Sequence, residues 1–263
     1  MKKIVSSLLL GSLLLSTVAS ADFTRIEAGV GAWSYKPSGY LSYTDNYGTL
    51  RNDSLEKDQT SAYAWIFIKH PIPVIPNLRL EYTTLHDDGK ASGSYDGIYA
   101  PLGTPSSWDL TQYDVIPYYN ILDNTFWTTI DIGIDVKFIE SDYTAKGVSQ
   151  IPGANILSTV TGIPTDYNEK DNVIVPLAYL RGRIEIPTTN LGLETDAKYI
   201  SYDDNTAYDI RAKIDYTFDS VPVVQPAIEV GYRIQKYDIT SDDKKTKIDM
   251  DFSGGYLGIM ARF

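Results

Sequence analysis

His86-Asp87-Asp88 is where this sequence sets an imidazole beside carboxylates. A base next to acids is the minimum equipment for proton-transfer chemistry. The other histidine, His70, belongs to the opposite end of the strand pattern described below, so no second Asp/His pair faces the triplet. Without that geometric partner, His86-Asp87-Asp88 reads as solvated turn chemistry at a strand edge, and no catalytic residue is expected. A nucleotide loop, a G-x-S-x-G elbow and a His-rich metal signature are all missing from the 263 residues. So is cysteine, which removes thiol chemistry and cysteine-based zinc sites. Carboxylates crowd several polar stretches: Asp45, Asp53, Glu56 and Asp58; Asp87, Asp88 and Asp96; Asp203 and Asp204; Asp242 and Asp243. Such hard oxygens suit Ca²⁺ or Mg²⁺ bridging to anionic lipopolysaccharide, but no twelve-residue calcium loop is present. No specific metal site and no cofactor are expected.

A second population of charge is more ordered. Asp131, Asp135 and Lys137 alternate with Ile130, Ile132, Ile134 and Val136; Arg181, Arg183 and Glu185 alternate with Leu180 and Ile184. The same rhythm sets Glu194, Asp196 and Lys198 against Leu193, Ala197 and Tyr199, and Asp209, Arg211, Lys213 and Asp215 against Ile210, Ala212 and Ile214. Glu229 and Arg233 stand against Ile228, Val230 and Ile234. Period-two alternation marks strands with one apolar and one polar face. Arg25, Glu27, Lys69, Arg79, Glu81 and Asp114 join the polar face by the same parity.

The elements that would position these charges are ten strands. They run about Phe23–Tyr35, Ser61–Lys69, Leu78–Thr83, Trp108–Tyr119, Phe126–Phe138, Ile174–Ile186, Leu191–Tyr199, Tyr208–Phe218, Ile228–Gln235 and Ile248–Phe263. Between them lie short turns (Pro71–Asn77, Asp123-Asn124, Pro187–Asn190, Asp219–Pro222) and polar stretches read as loops (Lys36–Thr60, a second ending near Ser107, Glu140–Asn172). The third of these carries an apolar patch, Ile151–Ile163. Each strand is near the ~10 residues that a tilted membrane strand needs, and connections alternate between long and short. Phe126, Tyr119, Phe218 and Phe263 gather at the short-turn ends, and Phe138, Tyr199 and Tyr208 at the others, as two aromatic girdles would. The expected fold is all-β: a ten-stranded antiparallel transmembrane β-barrel with short periplasmic turns and long outer loops.

The chain's ends agree. Lys2 and Lys3, the apolar run Ile4–Leu15 and Ala19-Ser20-Ala21 read as a secretory signal peptide over residues 1–21, leaving 22–263 for the barrel. Past residue 21 no apolar run is long enough for a membrane helix. Without Lys2 and Lys3, 21 basic residues face 34 acidic ones, a net charge of −13 that argues against a nucleic-acid partner. The closing strand puts Leu257, Ile259 and Phe263 on one face and ends on an aromatic, the form of an assembly signal for the outer-membrane barrel machinery.

With the apolar face toward lipid, the charges line the lumen. A ten-strand barrel is little wider than the eight-strand size that side chains fill. Long side chains of both signs then form a paired plug; the alternatives are a narrow pore with charged rings for small ions or solutes and, last, a protease-like outer-membrane enzyme using His86-Asp87-Asp88. A structural or surface-interaction role, with lipid and lipopolysaccharide as partners, follows from the plug. In the closing strand the apolar positions change parity, from Ile248, Met250 and Phe252 to Leu257, Ile259 and Phe263. Keeping all of them on lipid requires one inserted residue, so a β-bulge is expected at Gly254-Gly255.

Glu27-Ala28-Gly29-Val30-Gly31-Ala32-Trp33, Pro176-Leu177-Ala178-Tyr179 and the C-terminal Phe252-Ser253-Gly254-Gly255-Tyr256-Leu257-Gly258-Ile259-Met260-Ala261-Arg262-Phe263 together resemble a family of small bacterial outer-membrane β-barrel proteins named for a Gly-Gly near the C-terminus. The resemblance implies outer-membrane location and a barrel fold, and carries no catalytic residues or substrate.

Overall fold

The computed structural model describes residues 25–72, 74–151, 165–218, 224–241 and 245–263. The signal segment and the Ile151–Ile163 patch beyond its first residue lie outside them. The strands are β1 (Arg25–Asp45), β2 (Gly48–Ser54), β3 (Gln59–Lys69), β4 (Asn77–Tyr95), β5 (Ile98–Thr125), β6 (Thr128–Gln150), β7 (Thr165–Glu185), β8 (Leu191–Tyr202), β9 (Asn205–Thr217), β10 (Gln225–Thr240) and β11 (Thr246–Arg262). All pairings are antiparallel. β2 and β3 both lie between β1 and β4, β2 toward the hairpin end and β3 toward the turn end. They share one place in the ring, so eleven strands fill ten positions. β11 pairs with β1 from Glu27↔Arg262 to Tyr43↔Thr246 and closes the barrel. The two ends of the chain meet at that seam, where the Ile26 and Phe263 amides each donate to the other's carbonyl.

The strands outrun the sequence-based boundaries at one end of the ring. The stretches read as loops are mostly ladder: Lys36–Thr60 continues β1 and forms β2, the segment before Ser107 completes β4 and starts β5, and Glu140–Asn172 extends β6 and β7. The barrel therefore has two tiers. In the lower one, nearer the short turns and the termini, outward residues are apolar and half or more exposed, such as Ile134, Leu180, Val230, Leu257 and Ile259. In the upper one, outward residues are polar (Lys36, Ser42, Arg51, Lys90, Asp249, Asp251) and inward ones apolar: Trp33, Tyr35, Leu41, Tyr43, Leu85, Trp108, Tyr143, Met250 and Phe252 are all buried. Aromatics mark the boundary on the outer wall. The Tyr82 and Tyr113 rings lie 5.4 Å apart, and Tyr199 faces Tyr208 across β8–β9.

This change of tier removes the expected bulge. β11 runs in unbroken register through Gly254 and Gly255 against both neighbours (Tyr35↔Gly254 and Ser34↔Gly255; Arg233↔Gly254 and Tyr232↔Gly255). Met250 and Phe252 point inward while Leu257 and Ile259 point outward. Parity holds constant and the surroundings invert: where water replaces lipid outside, the apolar residues belong inside. Gly254 instead permits close contact, since a Cβ there would fall 2.6 Å from the Tyr35 Cα. The β5–β6 turn also differs from the Asp123-Asn124 expectation. β5 continues to Thr125, and Phe126 and Trp127 form the turn with φ of 50° and 63°. Positive φ at both central residues matches the right-handed twist of a two-residue hairpin.

Candidate functional site: the charged lumen

The lower lumen is built by the inward parity of nearly every strand. Ten carboxylates are buried there: Glu27, Glu81, Asp114, Asp131, Asp135, Glu194, Asp196, Asp209, Asp215 and Glu229. Nine cations are buried among them: Arg79, Lys137, Arg181, Arg183, Lys198, Arg211, Lys213, Arg233 and Arg262. Some contacts link neighbouring strands and follow directly from register. Lys137 faces Asp114 across β5–β6 and its Nζ donates to both carboxylate oxygens at 2.6 and 2.8 Å. Arg181 faces Asp131 across β6–β7 and binds it at 2.6 Å, with its other terminal nitrogen 2.6 Å from Glu194.

Others cross the barrel. Lys198 on β8 reaches Glu81 on β4 at 2.6 Å and Asp114 on β5 at 2.5 Å. Arg211 on β9 joins Glu81 at 2.5 Å to Asp196 at 2.8 Å. Arg183 holds Asp215 through two nitrogens at 2.5 and 3.1 Å, and Arg262 meets the same carboxylate at 2.8 Å. Between the adjacent β9 and β10, Arg233 forks onto Asp209 at 2.8 and 2.7 Å. Such multiply hydrogen-bonded pairs are what allow charge to be taken out of water. Glu185 lies at the edge of this set, 40% exposed, 2.8 Å from Arg183 Nε.

Aromatic rings fill the remaining section. β3, apolar on both faces, turns Tyr63, Trp65 and Phe67 inward and Ala62, Ala64, Ile66 and Ile68 outward. Tyr63 Oη and Trp65 Nε1 donate to Glu229 at 2.7 and 3.2 Å, and Lys213 Nζ binds its other oxygen at 2.8 Å while lying 4.7 Å from the Trp65 ring centre. Trp65 fits because its partner across β1–β3 is Gly29, where a Cβ would come within 2.6 Å of the indole. Between Tyr63, Arg79, Asp196, Arg211 and Tyr256 a void of about 10 Å³ remains. That is room for one water molecule at most.

Above the charges, side chains of the upper tier also meet across the barrel. Trp108 on β5 approaches Phe252 on β11 to 6.4 Å between ring centres, and Tyr43 on β1 approaches Tyr143 on β6 to 6.0 Å. Gln235 on β10 donates to Gln112 on β5 at 2.8 Å. β1 and β11 lie across the ring from β5 and β6, so these contacts span the lumen.

The His86-Asp87-Asp88 triplet is divided by the wall. Asp87 points inward and is buried, accepting from Ser54 Oγ at 2.7 Å, and its desolvation pushes the carboxyl up to about 6. His86 and Asp88 face outward above the Tyr82–Tyr113 pair. A residue not foreseen from sequence, Asp109, faces His86 across β4–β5 and lies 2.6 Å from His86 Nδ1; Asp88 is 3.4 Å from Nε2. Partial burial would lower the imidazole's pKa, but the bonds to Asp109 and Asp88 outweigh it and hold the ring protonated above its ordinary range. Arg262 is a further lumen residue outside the expected set, and its even parity opposite Leu257 and Ile259 is the signal for it. Of the C-terminal set, Leu257, Ile259 and Phe263 form an exposed stripe on the lower outer wall.

No family model matches the chain, and no curated protein does. Solved structures do. The outer membrane protease OmpT from Escherichia coli matches at 12% identity, TM-score 0.47, over 93% of this chain and 97% of that one. The transport unit of the autotransporter AIDA-I from Escherichia coli matches at 11% identity, TM-score 0.36, over 98% and 96%. Ail, the attachment invasion locus protein of Yersinia pestis, matches at 11% identity, TM-score 0.32, over 92% and 100%. The closed ring, the outward apolar belt and the inward charges make this chain an all-β, ten-position antiparallel transmembrane barrel.

Proposed function

We propose that this protein is an integral barrel of a Gram-negative outer membrane, non-catalytic, whose lumen is a plug and whose role is structural or one of surface interaction. The observation that carries the reading is closure at two levels. A hydrogen-bonded charge network spans the lower lumen, with room for about 10 Å³ beside Trp65 and Arg211, and aromatic contacts cross the barrel above it. An ion entering would have to displace several buried, hydrogen-bonded pairs. The surface role is supported by the hairpin rim, where Leu102 and Tyr99 on the extended β5 and Tyr47 in the β1–β2 turn stand exposed. The stripe Leu257, Ile259 and Phe263 serves the barrel assembly machinery, and lipid and lipopolysaccharide are the surrounding partners. Purified protein inserted into planar bilayers tests the reading. Silence over many insertions is expected; discrete conductance steps would establish a pore instead.

A further inference from the structure

Among the described residues the buried lumen has one carboxylate more than it has cations, with Arg25 and Glu185 offsetting each other at its rim, and the structure identifies the extra one. Nine of the ten carboxylates accept a hydrogen bond or an ion pair at 3.4 Å or less. Asp135 does not. It is 0% exposed, and among the described residues neither of its oxygens has a hydrogen-bond partner. On β6 its flanking partners are Leu177 on β7 and, by the same register, Ile116 on β5, both buried and apolar. Its nearest cation is Lys198 Nζ at 3.8 Å, which already donates to Glu81 and Asp114. Lys137, two residues along the same face, is committed to Asp114. Asp209, on β9, lies 3.6 Å from the same Lys198 nitrogen, and the Tyr237 phenol is the titratable group on β10 within electrostatic reach. Asp135 is thus surrounded by three further carboxylates and two cations, each of which already makes two hydrogen bonds to those carboxylates.

An ionised carboxylate in that position would be a buried charge with no donor, which costs several kcal/mol and which proteins avoid by neutralising the group. We propose that the Asp135 carboxyl is a proton-binding site: a proton held there at neutral pH completes the charge balance of the plug. This deepens the plug reading and rests on it only for the meaning of closure; the proton site itself rests on the count and the geometry. The bound proton turns one oxygen into a donor, and a neutral Asp135 leaves nine carboxylates facing nine cations. The consequence for stability has the opposite sign from an ordinary paired aspartate. The folded chain binds a proton that the unfolded chain releases above about pH 4, so the unfolding constant rises by about tenfold per pH unit from there until Asp135 ionises in the folded state.

The test uses the full barrel in lipid vesicles. Infrared spectra with labelled aspartate should show a protonated-carboxyl stretch near pH 7 that is absent in Asp135→Asn. That variant should fold, match or exceed the wild-type urea midpoint, and lose the tenfold-per-unit pH dependence, whereas Asp114→Asn should unfold at lower urea. A spectrum without the protonated band overturns the proposal, as does an Asp135→Asn barrel that fails to fold or weakens as Asp114→Asn does. Stability following sodium or potassium concentration in place of pH would also overturn it, in favour of a bound alkali ion. Conductance steps accompanied by the protonated band would remove the plug reading and leave the proton site standing.

Discussion

The two tiers solve one problem in opposite ways. In the lower tier the wall meets lipid, so apolar residues leave the barrel and some twenty buried charged side chains must satisfy one another within it. In the upper tier the wall meets water, and Met250, Phe252, Leu41, Tyr43 and Trp108 pack inward as the core of a soluble β-protein would. A single strand such as β11 serves both without altering its parity. Backbone geometry therefore fixes which residues share a face; the solvent outside decides which face is apolar.

That difference sets how each tier should fail. The largest expected effect belongs to the charged tier. Replacing Lys198 by Met would remove the cation that Glu81 shares with Arg211 and Asp114 shares with Lys137, leaving the buried set one positive charge short, and should cost on the order of 3–5 kcal/mol in urea unfolding from vesicles. In the apolar tier Leu41→Ala should cost about 2–5 kcal/mol, and hydrogen exchange should show faster opening confined to the upper parts of β1, β2 and β11. If Leu41→Ala loosened the lower tier equally, the tiers would be one cooperative unit.

Legibility divides along the same line. The lower tier could be read because lipid demands long, clean alternation: Ile130 to Phe138 against Asp131 to Lys137 needs no tertiary information. The upper tier could not, because inversion of the polar face looks like loss of pattern; Leu41, Tyr43 and Leu50 among Ser, Thr, Asn and Asp passed for loop. The bulge at Gly254-Gly255 was the same misreading in one strand. Cross-strand pairs such as Lys137–Asp114 need only a register, whereas Lys198–Glu81 needs the ring's curvature, which no local pattern contains.

Smaller, pH-graded effects sharpen the contrast. Asp87 is a carboxyl in the apolar tier pushed up to about 6 by burial, above its ordinary value near 4. Its contribution is therefore fullest below about pH 4 and is lost as pH rises toward 6; Asp87→Asn should flatten that part of the stability profile. The smallest effect should be on the outer wall. His86, held by Asp109 and Asp88, contributes below the ordinary histidine value and loses that contribution as pH rises through its raised one. Asp109→Asn should return the imidazole's NMR titration toward the ordinary range at a cost of no more than about 1 kcal/mol, because the pair is exposed.

The inversion itself is tested most directly by spin labels placed one at a time from position 248 to 261 of β11, with accessibility read against oxygen in the lipid and a nickel chelate in the water. Labels at 257, 259 and 261 should meet oxygen, those at 249, 251 and 253 the chelate, and those at 250 and 252 neither. Oxygen at 250 and 252 would mean that the strand slips at Gly254-Gly255 and keeps one apolar face throughout, and the two-tier account would fall.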